Sequence, residues 1–187
     1  MSETIAPPHS ATSTGTLEVT DRSRLRRSHP RGHFDRVTID AILDAQPLCH
    51  VGYSIDGAPY VTPTLQWREG DHVYWHGSSA SRALKASKGA QVCLTVSILD
   101  GFVLARSGFH HSVNSRSVML FGEAFRVEDP EEKLLKLTRF VDGLFPGRYG
   151  SLRPDHAQDL KATTVLGLKI EEGAAMRHIL DVRRSML

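Results

Sequence analysis

The stretch that decides the fold is "CHVGYSIDGAPYVTPTLQW", Cys49 to Trp67. Its first half alternates: Cys49, Val51, Tyr53 and Ile55 share one face, and His50, Gly52 and Ser54 share the other. A period of two is the mark of a strand with one buried face. Asp56-Gly57 is a two-residue hairpin turn, so Ala58 to Trp67 returns as the partner strand. Pro59 and Pro63 mark that partner as an edge strand or as unpaired along one side, because proline brings no N–H to a ladder.

Outward from this hairpin the chain continues as strands. "REGD", Arg68 to Asp71, turns into "HVYWH", His72 to His76. "AQVCLTVSILD", Ala90 to Asp100, is almost continuously apolar, so both of its faces are covered. "SRSVMLFGEAFRV", Ser115 to Val127, is a further strand with Gly122 as a bulge or a point of close approach. "TTVLGLKIE", Thr163 to Glu171, is the last. Three helices decorate them. One is expected near Thr38–Ala45, stopped by Pro47, and a short one near Ala83–Lys88, closed by Gly89. The third opens on Asp129 as cap, Pro130 and two acids, and carries Leu134, Leu137, Val141 and Leu144 on one stripe. The expected class is mainly β (α+β): a six-stranded antiparallel β-barrel with short peripheral helices.

A chain of 187 residues with 40% hydrophobic content suits one domain with a sizeable core. A formal net charge of +2 gives no general case for a nucleic-acid partner. Cys49 and Cys93 sit in apolar runs and read as free buried thiols. The N-terminus shows no apolar signal segment, and no long apolar run is present, so a cytoplasmic protein without a membrane span is expected. Residues 1–30 read as a disordered basic arm, Ser/Thr/Pro-rich at first and then carrying Arg22, Arg24, Arg26 and Arg27. Residues 31–175 form the folded domain and 176–187 a tail.

The second informative stretch is "YWHGSSASRALKASKG", Tyr74 to Gly89. Ser78, Ser79 and Ser81 are all candidate caps for the short helix. Its first turn holds Arg82 and no acid, which suits an anion from outside the chain, phosphate being the usual guest.

The order of "RGHFDRVTIDAILD", "CHVGY", "PTLQW", "HGSSASR", "LARSGFHHSVNSRSVMLFGEA" and "LKATTVLGLKIEE" resembles the pyridoxamine 5′-phosphate oxidase-like family of flavin-binding split β-barrels, over about Arg31 to Glu172. Within it the chain is similar to the branch of nitroimidazole-resistance-type reductases. The resemblance implies a split barrel, a homodimer and FMN held between the two subunits. It places flavin contacts on Val61, Thr62, Pro63, Thr64 and Gln66, on His76, Gly77 and Ser78, on Ser81 and Arg82, and on Ser117. Three basic phosphate contacts of the family are replaced by Val61, Gln66 and Ala83, leaving Arg82, the serine hydroxyls and Lys85 or Lys88. The substrate-binding arginine and histidine of a true pyridoxamine phosphate oxidase have no counterpart in "AAMRHILDVRRSML", so vitamin B6 oxidation is not expected.

A flavin carries its own electron chemistry, so no catalytic triad is needed. His76, ending a strand beside the phosphate turn, is the candidate catalytic or ring-stacking residue. His110-His111 lacks an identifiable third ligand, and no metal is expected. The implied activity is an FMN-dependent reductase of small electron-poor molecules, of nitroaromatic or quinone type. The alternatives are a haem-binding or haem-handling protein, given ten histidines, and a flavin-binding module without turnover.

Overall fold

The computed structural model describes residues 14–26 and 31–179. In chain order the elements are β1 (Gly32–His33), α1 (Arg36–Ala45), β2 (Leu48–Ile55), β3 (Ala58–Glu69), β4 (His72–Ser78), α2 (Arg82–Ser87), β5 (Gln91–Val103) and β6 (Ser112–Glu123). There follow β7 (Phe125–Arg126), α3 (Pro130–Leu144), α4 (Ala157–Ala162), β8 (Thr163–Lys169) and β9 (Glu172–His178). They form one antiparallel sheet in the order β1-β9-β6-β5-β2-β3-β4-β8-β7. Among the described residues no helix is long and apolar enough to cross a membrane.

The class is the expected one, a curled sheet forming a split barrel, but it has nine strands where six were expected. β1 and β7 are two residues each, too short to carry a period. β9 contains Gly173, Ala174 and Ala175, which have little intrinsic strand preference. Packing puts it there: a Cβ at Gly173 would stand 2.4 Å from the Met119 carbonyl oxygen, so only glycine lets β9 lie on β6. The domain therefore runs on through His178, past the expected boundary at 175, and residues 180–187 lie outside the described part. Gly122 is the close approach rather than the bulge. A Cβ there would meet Leu168 Cδ1 at 2.8 Å, which shows β6 and β8 facing each other across the curled interior. The register shift lies in β5 instead, between Leu99 and Gly101.

Helix α1 fills the interior. Asp35 caps it by accepting from the Thr38 N–H at 2.8 Å, so the helix begins earlier than expected. Ile39, Ile42 and Leu43 are buried against Val51, Leu94, Val118, Leu120 and Leu168. Each such side chain contributes about 1.5–3 kcal/mol by leaving water. A buried ionic set fixes the helix to the barrel. Arg36 pairs with Asp40 at 3.1 Å and Asp71 at 2.8 Å, and Arg68 on β3 pairs with Asp44 at 2.7 Å. Cys49 lies in the same core, where burial pushes its thiol up to about 12, so it stays protonated and unreactive.

The split follows from β3. Its register with β2 runs from Ala58 to Leu65, but with β4 only from Gln66 to Glu69. The Gln66 N–H donates to the Pro47 carbonyl at 2.7 Å, so even-numbered residues of β3 aim their backbone at β2. Pro59, Val61, Pro63 and Leu65 then aim theirs away, along a side with no partner strand among the described residues before Gln66. The prolines occupy positions where an N–H is not required.

The basic arm is not wholly disordered. Residues 14–26 pack on the barrel: the Leu17 N–H donates to the Phe34 carbonyl at 2.8 Å, the Arg36 N–H to Gly15 at 2.9 Å, and Leu17 is buried. Thr20 Oγ1 donates to Glu172 at 2.5 Å, and Arg22 pairs with the same carboxylate. The polar composition hid these contacts because they are made mainly by backbone and by single side chains. Residues 1–13 and 27–30 lie outside the described part. Removing residues 1–26 is expected to lower unfolding stability by at least about 2 kcal/mol, through the loss of Leu17 burial alone. Urea denaturation of the truncated and full chains measures this; equal midpoints and slopes would contradict it.

Candidate functional site

The unpaired side of β3 borders a cavity of about 210 Å³. Val51 and Tyr53 of β2, Thr62, Pro63 and Thr64 of β3, Trp75, His76 and Gly77 of β4, and Ser81 and Leu84 at α2 line it. Local structure explains the arrangement. Ser81 caps α2, its Oγ accepting from the Leu84 N–H at 3.4 Å, and the Ser81 N–H donates to the Ser78 carbonyl at 2.9 Å. The helix is thereby turned back over the end of β4. Leu84 closes against Gly77, where a Cβ would come within 3.1 Å of its Cδ1.

Of the eleven expected site residues, Thr62, Pro63, Thr64, His76, Gly77 and Ser81 come together on this wall. Arg82 stands just outside it. Its guanidinium carbon lies 5.2 Å from the Tyr60 ring centroid, and Tyr60 runs side by side with Tyr53 at 5.8 Å and 12°. This cation–π contact holds an exposed arginine at the mouth of the cavity. The Tyr53 hydroxyl and Thr62 Oγ1 are 3.0 Å apart, which ties the tyrosine pair to the β3 wall. Tyr53 and Tyr60 were not among the expected site residues. Their signal was available as a cross-strand pair three positions from the Asp56-Gly57 turn.

Four expected residues fall elsewhere. Gln66 is buried, and its Nε2 donates to the Leu43 and Gln46 carbonyls at 2.6 and 2.8 Å, so it anchors α1. Val61 is exposed, and only its backbone faces the open side of β3. Ser78 accepts from the Ala80 N–H at 3.2 Å and shapes the turn. Ser117, on β6, lies on the outer surface of the sheet beside residues of the N-terminal segment. Homologous strand positions do not share one cavity within this chain because side chains of β3 and β6 alternate between two surfaces of the sheet. By the same alternation, the N–H groups of Thr62 and Thr64 serve the ladder with β2, and their side chains face the cavity.

His76 is the unusual group. It lines the cavity, while its ring stands edge-on to Phe140 of α3 at 4.7 Å and to Trp67 at 6.0 Å. Its Nδ1 is buried with no hydrogen-bond partner among the described residues. Burial lowers its pKa from the ordinary 6.5, so the imidazole is neutral at physiological pH. Below it, Glu69 joins Trp67, Lys136 and Arg139; their hydrogen bonds outweigh its own desolvation and hold its carboxylate below the usual range. His110 and His111 are exposed near the tip of the β5–β6 connection, and no group of three or more metal-ligating side chains occurs among the described residues.

Residues 35–177 match the family model described as pyridoxamine 5′-phosphate oxidase. Among solved structures, the flavocytochrome Anf3 from Azotobacter vinelandii is 48% identical, with a TM-score of 0.83 over 89% of this chain and 79% of that one. The FAD and heme binding protein from Mycobacterium smegmatis is 32% identical, with a TM-score of 0.76 over 83% and 78%. A protein described as a 5-nitroimidazole antibiotic resistance protein, from Bacteroides thetaiotaomicron, shares the fold at 23% identity, with a TM-score of 0.59 over 73% and 80%. Comparison with curated protein sequences gave no match.

A depressed histidine pKa has a definite consequence for stability. Below about pH 6.5 the unfolded chain takes up a proton that folded His76 resists, so stability falls as pH drops through that point. Replacing His76 by Phe is expected to flatten this part of the stability–pH curve, measured by urea denaturation between pH 7.5 and 5 (roughly the titration range of histidine). His72, also depressed by burial, leaves a residual slope. An unchanged slope in the variant would show that His76 is protonated in the folded state.

Proposed function

Since the chain belongs to the pyridoxamine 5′-phosphate oxidase family of flavin-binding split barrels, we propose that the cavity beside β3 receives the ring system of a flavin. The observation that carries this reading is the unpaired edge of β3 facing a cavity with a cationic mouth. Val61 and Leu65 offer N–H donors along that edge, and Val61 and Pro63 offer carbonyl acceptors. A flavin pyrimidine edge has donor and acceptor atoms of its own to meet them. The apolar wall of Val51, Trp75 and Leu84 excludes water from the ring, and Arg82 with Ser81 stands where a phosphate would emerge. When bound, the flavin would supply the electron-transfer chemistry. The residues around it bind, orient and exclude solvent, and neutral His76 can accept or hold a proton at the cavity wall.

The reading favours FAD over FMN. The relative that supports it is the FAD and heme binding protein at 32% identity. About 210 Å³ falls short of the roughly 300–1,000 Å³ of a complete site for a ligand of that size, so a second wall is needed. A second copy of the chain is the proposed source. Leu48, Val61, Leu65 and Met119 are exposed on the outer sheet surface, Phe102 near the end of β5, and Leu104 and Phe109 on the β5–β6 connection. Such surface is covered when two copies pair. The activity class proposed is an oxidoreductase; a small electron-poor substrate stays compatible with a narrow, apolar cavity.

A haem bound alongside the flavin is the second reading, and His76 favours it. A neutral, buried imidazole with an unpartnered nitrogen in apolar surroundings is the form that ligates iron. The absorption spectrum of the purified protein, loaded with FAD and haemin, tests both readings. Flavin bands in the near-ultraviolet and blue are expected, with a Soret band that shifts in His76→Ala if His76 is a ligand. A chain that takes up no flavin would overturn the proposal. Within it, Arg82→Ala is expected to weaken FMN and FAD by about one to two decades and riboflavin much less, by loss of one charge-assisted bond to phosphate. Equal loss for all three would place the phosphate elsewhere.

A further inference from the structure

The face of the β2–β3 hairpin that lines the cavity continues past it. Val51 lies opposite Thr62, and the next pair on that face towards the Asp56-Gly57 turn is Tyr53 opposite Tyr60. Successive same-face positions of a strand are roughly 7 Å apart. Tyr60 therefore stands one step beyond Thr62, outside the cavity that Tyr53 still lines. A cross-strand aromatic pair strengthens a hairpin, which explains why the two rings meet. It does not explain why the aromatic face runs out into solvent, with Tyr60 37% exposed.

The inner ring is held in place. The Tyr53 hydroxyl and Thr62 Oγ1 are 3.0 Å apart, and the Tyr60 ring lies against Tyr53 at 5.8 Å between centroids and 12° between planes. Arg82 comes over the Tyr60 ring, with 5.2 Å from its guanidinium carbon to the centroid. That cover is light. Arg82 Nη2 donates to the Tyr60 hydroxyl at 3.5 Å, the outer limit of a hydrogen bond, and a cation–π contact at an exposed site is weak. A guanidinium held this loosely moves when an anion offers it a charge-assisted bond, and it leaves behind an aromatic ring on which a planar group can stack.

We propose that Tyr60, backed by Tyr53, is a platform for an adenine ring, and that this pair suits the site to a dinucleotide flavin over a mononucleotide. The inference rests on the flavin reading of the cavity beside β3 and adds the part of the ligand that about 210 Å³ leaves outside. Three places then follow one another: the wall of Thr62 and Thr64 for the flavin ring, Ser81 and Arg82 at the mouth for the phosphates, and Tyr60 for the base. Arg82 gives up its contact with the Tyr60 ring for phosphate oxygens, and the adenine takes the place it leaves. Stacking of this kind needs no hydrogen bond to the edge of the base, so two tyrosines suffice.

Calorimetric titration with FAD and FMN, on the wild type, Tyr60→Phe and Tyr60→Leu, tests the platform. One base–aromatic stack corresponds to about tenfold in affinity, so the wild type and Tyr60→Phe should bind FAD about tenfold more tightly than FMN. Tyr60→Leu should bind the two alike, through a loss for FAD alone. The wild-type ratio reads the platform even where Tyr60→Leu does not fold. A wild type that binds neither flavin overturns the cavity reading itself. A wild type that binds both and prefers neither, or a Tyr60→Leu that keeps the preference, overturns the platform. A loss in Tyr60→Leu shared equally by FMN also overturns it, since Tyr60 then only steadies Arg82. NADH, titrated onto the FMN-loaded protein, is the other source of an adenine. A loss in Tyr60→Leu confined to NADH would give the platform to the electron donor and overturn its assignment to the flavin.

Discussion

Two prolines in one strand shape most of this molecule. Pro59 and Pro63 sit on the side of β3 that looks away from β2, where a missing N–H costs nothing if no strand lies alongside and would break a ladder if one did. β3 therefore pairs with β2 from Ala58 to Leu65, and with β4 only beyond Leu65. The barrel opens at that point. β4 runs on past the opening to pair with β8, and Ser81 turns the chain back to roof the gap with α2. A cleft with backbone on one wall, an aromatic floor and a cation at its mouth is the direct result.

What keeps the opening from collapsing is the rigidity of the rest. Helix α1 occupies the interior that a closed barrel would fill with strand side chains, and it is tied to β3 by the Arg68–Asp44 pair and by Gln66. Stranding one charge of such a buried set costs about 3–5 kcal/mol, so the helix and strand hold one relative position. On the other side of β4, Glu69 gathers Trp67, Lys136 and Arg139 and draws α3 onto the sheet, leaving Phe140 against His76. The neutral state of His76 is therefore a consequence of packing at a distance from the cavity it lines.

Much of this was legible in the sequence because the signals are local. The alternation of Cys49 to Ile55, the Asp56-Gly57 turn and the proline spacing give the hairpin and its open side without reference to anything else. Asp129-Pro130 gives α3. Strand β9 was not legible: Gly173 to Ala175 pair with β6 because small residues fit closely there, a reason that exists only in the fold. The fixed arm was hidden similarly, since Leu17 is a single apolar residue in a polar run. In the site, Thr62, Thr64, His76 and Ser81 line one cavity, whereas Gln66 and Ser117 lie away from it, because matching a motif assigns a strand position but not which neighbours a side chain meets on its own surface of the sheet.

The account stands on the unpaired edge of β3 and on the ligand proposed to complete it. Amide hydrogen exchange, resolved by NMR, reads that edge residue by residue. In the flavin-free protein, Thr62 and Thr64 should exchange slowly, protected by the ladder with β2, while Val61 and Leu65 exchange fast. Adding FAD should slow Val61 and Leu65 and leave Thr62 and Thr64 as they were. If Val61 and Leu65 are already protected without flavin, the edge is paired and the opening is misassigned. If they stay fast with FAD bound, the flavin sits elsewhere on the chain.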